Sequence, residues 1–161
     1  MRNRFDRQLL KLNQEMIDMG SLCEEMITAA AKIVATRDKE LMDDIVTMEE
    51  EINQKERDIE RICMKLLMQQ QPVASDLRVI SAAMKMVSDM ERIGDQAADI
   101  ADLSLYVAKN TTAIPETITQ MAEDTVRMVT ESVDAFVKSD LELCRNVIDR
   151  DDVVDDAFNE I

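Results

Sequence analysis

Through each long stretch of this chain the apolar residues recur three and four positions apart. Only Pro72 and Pro115 interrupt the pattern, since Gly20 and Gly94 both sit inside it. That spacing places the apolar side chains on one face of a helix and suits no strand. A first helix is expected from about Phe5 to Thr36, with Leu9, Leu10, Leu12, Met16, Met19 and Cys23 opening its inner face. Asp38 is placed to cap a second, whose Leu41, Ile45, Ile52, Ile59 and Leu66 face inward until a turn at Gln69 to Pro72. Ser75 is the expected N-cap of a third, running to about Asn110 with Leu77, Ile80, Met84, Val87, Gly94, Ala98, Ala101 and Leu105 on its seam. A fourth helix over 116–138 and a fifth from Asp140 onward complete the pattern. One Tyr, three Phe and no Trp leave little to fill a sheet core, so the expected fold class is all-α.

The pattern repeats. Shifting residue numbers by 102, that is 121 minus 19, lays Met121 on Met19, Met128 on Met26, Thr130 on Thr28 and Asp140 on Asp38. The same shift lays Val147 on Ile45 and Val154 on Ile52. The expected organisation is therefore a three-helix-bundle repeat over residues 1–110, followed at 111–161 by the first two helices of a second. A counterpart of the third helix would begin near 177, the sum of 75 and 102, and the apolar pattern runs unbroken to Ile161, as in a truncated chain. Helices four and five would then leave an apolar face that self-association could cover, so a homo-oligomer is expected.

Charge narrows the function. A net charge of -15 with scattered Lys and Arg argues against nucleic acid and anionic lipid as direct partners. No stretch has the length or apolarity of a membrane span, and Met1-Arg2-Asn3-Arg4 is not followed by a leader-like apolar run, which points to the cytoplasm. Cys23, Cys63 and Cys144 are odd in number and far apart, so they read as small core residues rather than a disulfide framework. There is no His, no Gly-rich phosphate loop and no partnered Ser or Cys nucleophile, and no enzymatic activity is expected.

What chemistry there is concentrates in carboxylates. Stepping in sevens from Leu77 places Glu91 on the seam of the third helix, with Asp95 one turn on and Gly94 between them. A carboxylate so placed needs a cation, an Arg or a proton. A mid-helix Gly suggests that another helix or a ligand approaches the backbone. Glu49 with Asn53, and Asp151 with Asp155, repeat the spacing on the second and fifth helices. Two carboxylates four residues apart can bridge hard cations. They can equally form a solvated acidic face held by ordinary ion pairs.

The segments Gln69-Gln70-Gln71-Pro72-Val73-Ala74-Ser75-Asp76-Leu77-Arg78 and Glu91-Arg92-Ile93-Gly94-Asp95 closely resemble the signature of PhoU-like phosphate-uptake regulators. The resemblance extends over essentially the whole chain, from Phe5, Leu9, Met19 and Gly20 to Val147–Ile161. It implies two three-helix bundles whose acidic motifs hold divalent or trivalent iron, zinc or manganese, often as multinuclear clusters. Carried over, the ligands are Glu91 and Asp95, Asp151 and Asp155, and Glu49, although Asn53 stands where the family usually has Asp. A last motif, at 193 to 197 by the same shift, lies beyond this chain. The implied role is a negative regulator of phosphate uptake and starvation signalling. It would be a metal-binding adaptor between a phosphate ABC transporter and a sensor histidine kinase, reaching the membrane only through its partners. Two rivals stand beside it: a metal-storage or metal-dependent phosphohydrolase bundle, and a purely structural helical oligomer.

Overall fold

The computed structural model describes residues 2–69, 72–107 and 115–161. Among these there are five helices and no strand: α1 (Arg2–Thr36), α2 (Met42–Gln69), α3 (Ala74–Val107), α4 (Glu116–Lys138) and α5 (Leu141–Asn159). At 35 residues, α1 extends about 50 Å. Helices α1, α2 and α3 pack pairwise into one bundle, α4 lies along α1, and α5 folds back on α4. No helix of the described residues is long and apolar enough to cross a membrane.

The core follows heptads. On α1 the stripe runs Phe5, Leu12, Met19, Met26, Ile33, with Met16, Cys23 and Ala30 beside it; on α2 it runs Ile45, Ile52, Ile59, Leu66. On α3 it is Ile80, Val87, Gly94 and Ala101, flanked by Ala83, Met90, Ala97 and Ser104. The expected seam holds at Ile80, Val87, Gly94 and Ala101 and is corrected at its other positions. Leu77 is 44% exposed, and the residues stepped from it, Met84, Glu91, Ala98 and Leu105, are only half-buried at the edge of the core. The positions stepped in sevens from Leu77 lie one residue beyond Ala83, Met90, Ala97 and Ser104, upon which the helices close instead. Leu10, also expected inside, is exposed.

Helix ends correct two further expectations. Asp38 does cap, accepting the Glu40 N–H at 3.0 Å, but it caps a short 3-10 turn, Lys39–Leu41, ahead of α2. Ser75 is not an N-cap, because α3 already begins at Ala74. The Val73 N–H instead donates to Asp76 Oδ2 at 3.3 Å, and the Val73 carbonyl accepts the first helical bond from Leu77 at 3.0 Å. An acid at the third helical position is thus what ties down the start. The expected turn residues Gln70 and Gln71, the break at 110–114 and the repeat boundary at 110/111 lie outside the described residues.

The shift of 102 is visible in the backbone. Among the described residues two non-glycines have positive φ, Arg37 at 60° and Ser139 at 54°, and their numbers differ by 102. Each closes a long helix in the left-handed conformation. Each precedes an Asp cap: Asp140 Oδ1 accepts Glu142 N–H and Leu143 N–H, both at 3.0 Å. Arg37 does something more, donating from Nη1 to the Ser104 carbonyl at 2.6 Å and so pinning the first turn to the end of α3.

Candidate carboxylate site

Gly94 sets how α2 and α3 meet. A Cβ built there would lie 3.0 Å from Ile52 Cδ1 and 3.3 Å from Ile52 Cγ2. The partner that approaches this backbone is therefore a helix. Gly20 does the same between α1 and α4, where a Cβ would meet Val133 Cγ2 at 3.1 Å. Since α2 and α3 run in opposite directions, one turn back from Gly94 and one turn forward from Ile52 bring Glu91 opposite Glu56.

Glu91 and Asp95 are half-buried on α3, and Glu56 is half-buried on α2. Their charges are felt mutually. Burial first, then the Asp95 and Glu56 charges, then a hydrogen bond that protonated Glu91 gives Asp95, push Glu91 above its usual range, with Arg92 opposing. Burial, then Glu60 and more weakly Asp95, push Glu56 up as well, against Arg57. The residue the sequence reading missed is thus Glu56. It lies one heptad beyond Glu49 at the same phase, and it is the packing of Gly94 on Ile52 that sets it against Glu91. Glu49 is half-buried two turns away on α2, and Asp151 and Asp155 are exposed on α5.

Chemically the set suits a hard cation, being all carboxylate oxygen and carrying repulsion that positive charge would relieve. Among the described residues, however, no three acidic or thiol side chains converge closely enough to chelate a metal ion. Glu91 and Glu56 form a facing pair with Asp95 beside them, close enough that the neighbouring charges help to raise Glu91 and Glu56. The thiols take no part. Burial, then Glu24, raises Cys23 to about 12, and burial, then Glu60, raises Cys63 to about 11, values at which neither is a thiolate near neutrality.

The second hairpin has a different polar feature. Arg150 lies between α4 and α5, its Nη2 3.4 Å from Glu131 Oε2 and its Nη1 4.0 Å from Asp124 Oδ1, while its buried Nε finds no partner. At the same shift the first hairpin carries Met48, Ala29 and Leu22.

The sequence profile of the PhoU domain matches residues 16–104 and 118–161. A phosphate-specific transport system accessory protein PhoU homolog of Aquifex aeolicus is 33% identical over 156 residues, 96% of this chain and 71% of that protein. One from Streptococcus pneumoniae is 33% identical over 159 residues, covering 98% of this chain and 74% of the relative. The crystal structure of PhoU from Pseudomonas aeruginosa superposes with a TM-score of 0.89 at 30% identity, covering 97% of this chain and 76% of that one. The phosphate transport system regulatory protein PhoU of Streptococcus pneumoniae gives 0.88 at 31%, over 97% and 74%.

Proposed function

The chain belongs to the PhoU family, and we propose on that footing that it is a phosphate-transport accessory protein that restrains uptake and starvation signalling. The observation that carries this is the combined match in sequence and structure to proteins named for that system, over nearly the whole of this chain. In the finer reading it is a cytoplasmic adaptor with no catalytic step of its own, contacting a phosphate ABC transporter on one side and a sensor histidine kinase on the other. Long helical faces suit such contacts. Expressed in a bacterium lacking its own PhoU protein, the chain should silence a phosphate-starvation reporter when phosphate is plentiful. A reporter that stays on despite soluble, helical protein would overturn the reading.

The metal belongs to the same proposal. Glu91 and Asp95 would bind it as a pair on α3, with Glu56 facing them from α2, Glu49 on the same α2 phase, and Asp151 and Asp155 a second set on α5. Bound there, iron, zinc or manganese would supply positive charge that keeps these acids ionised and ties two helices together. The chain's own part is to present these carboxylate oxygens on opposed helices. Replacing Glu91 and Asp95 by Gln and Asn should abolish saturable metal uptake measured by calorimetry while helicity is kept. Unchanged uptake would remove this site from the proposal.

A further inference from the structure

The outer seam between α2 and α3 changes character along its length. Glu56, Glu91 and Asp95 lie at its middle, and one heptad on from the facing pair the same antiparallel register sets Cys63 against Met84. From there to the turn the seam is apolar. Met64 and Met68, one helical turn apart on α2, are 46% and 79% exposed, and Val73 and Leu77, one turn apart where α3 begins, are 63% and 44% exposed. Leu67 and Met84, half-buried between them, join this patch to the core. The patch belongs to the bundle of α1, α2 and α3, whereas the α4–α5 hairpin packs on α1. Toward α4, α3 turns Met86, Met90 and Ile93, on another flank from Leu77 and Met84.

Charge decides what fits. Residues 61–88 carry four bases, Arg61, Lys65, Arg78 and Lys85, against one acid, Asp76, in a chain whose net charge is -15. Asp76 is already engaged, its Oδ2 accepting the Val73 N–H at 3.3 Å. Asp58 holds Arg61 at 2.8 Å, and Asp89 holds Lys85 at 2.8 Å with Arg92 3.5 Å away. Lys65 and Arg78 are exposed and, among the described residues, enter no ion pair. Toward the carboxylates the border carries Arg57 and Glu60, one of each sign, and the start of α1, alongside that of α3, adds Arg4, Arg7 and Lys11 against Asp6. Asp and Glu flanking an apolar stripe would be drawn to this end. A second copy docked patch to patch would set bases against bases, and a broad anionic lipid surface would meet the acidic remainder of the chain. A seam between two helices accepts a third, and methionines adapt to what they meet.

We propose that this end of the α2–α3 seam docks an amphipathic helix of a partner protein, apolar along one stripe and bordered by Asp and Glu. The proposal rests on the patch and its charges, independently of any role in phosphate transport. A labelled synthetic helix with Leu at positions i, i+3, i+4 and i+7 and Glu on both borders tests it against a peptide of the same composition with the stripe scrambled. The chain as a whole repels both peptides, so binding reports the patch. The intact chain should bind the striped helix at least about tenfold more tightly in fluorescence anisotropy. Lys65→Glu combined with Arg78→Glu, or Met68→Glu alone, should weaken that binding at least about tenfold, Glu60→Lys should strengthen it, and Ile148→Glu, on the exposed side of α5, should change nothing. The gain in Glu60→Lys cannot come from misfolding. Equal binding of both peptides, binding of neither, or indifference to the paired Lys65 and Arg78 changes overturns the proposal. So does binding to phosphatidylglycerol vesicles that the paired changes abolish while the striped helix stays unbound, since the occupant would then be a membrane. A dimer in sedimentation that the paired changes dissolve overturns it too, since the occupant would then be a second copy.

Discussion

Glu91 is the residue most informative about conditions. Its carboxyl and that of Glu56 are raised above the ordinary value of 4.5, so the folded chain binds protons that the unfolded chain has already released. Stability from this pair is therefore fully present below pH 4.5, and it is lost as pH rises through the raised folded values. The double variant Glu56→Gln, Glu91→Gln should flatten that fall in urea unfolding followed from pH 4 upward in metal-free buffer; an unchanged profile would place the proton uptake elsewhere. Gly94 makes a second residue-scale expectation. Alanine would gain about 1 kcal/mol in helix propensity, but its Cβ would press on the fully buried Ile52, and overpacking costs about 1–3 kcal/mol. Gly94→Ala should thus destabilise. Adding Ile52→Val should recover part of the loss, a coupling read directly from a double-mutant cycle in denaturant. The glycine's purpose was legible from its place inside a helical pattern. Which acid faced Glu91 was not, because that depends on the register between α2 and α3, which Gly94 and Ile52 fix only in three dimensions.

Among the elements, the two hairpins are near copies whose differences can be exploited. Arg37 and Ser139 share a left-handed backbone, which costs a non-glycine residue about 1 kcal/mol. Ser139→Gly should therefore raise the melting temperature slightly. Arg37→Gly should not, because it also removes the 2.6 Å bond to Ser104. If both variants respond alike, the Arg37 bond contributes nothing. Arg150, Asp124 and Glu131 make the second interface polar where the first has Met48, Leu22 and Ala29. Transplanting those three residues together should hold or raise stability, since a partly buried ion cluster is commonly matched or surpassed by apolar packing. Arg150→Met alone should lower it by leaving two acids facing each other. Helix existence and the Asp38 and Asp140 caps could be read from spacing and residue type. The start of α3 could not, because Asp76 reaching back to Val73 satisfies the same backbone need as a Ser cap.

For the whole molecule, the net charge of -15 opposes compaction, and 0.5 M salt should raise the denaturation midpoint of the native chain by screening it. A flat salt response would mean that local ion pairs such as Lys55 with Glu15, at 2.6 Å, already neutralise most of the strain. The bundle class was legible because charge and apolar period depend on the chain alone. The paired turns also bear on how the native state is reached. Each hairpin joins helices that are adjacent in sequence, so its ends meet quickly. The links from α1 to α3, Cys23 to Met90 and Arg37 to Ser104, both span 67 residues and must close a long loop. Folding should then begin at two places and finish with α3 docking onto α1. Substitutions at Asp38 or Asp140 would mainly slow refolding, whereas Cys23 and Arg37 variants, which remove the donors of those links, would mainly hasten unfolding.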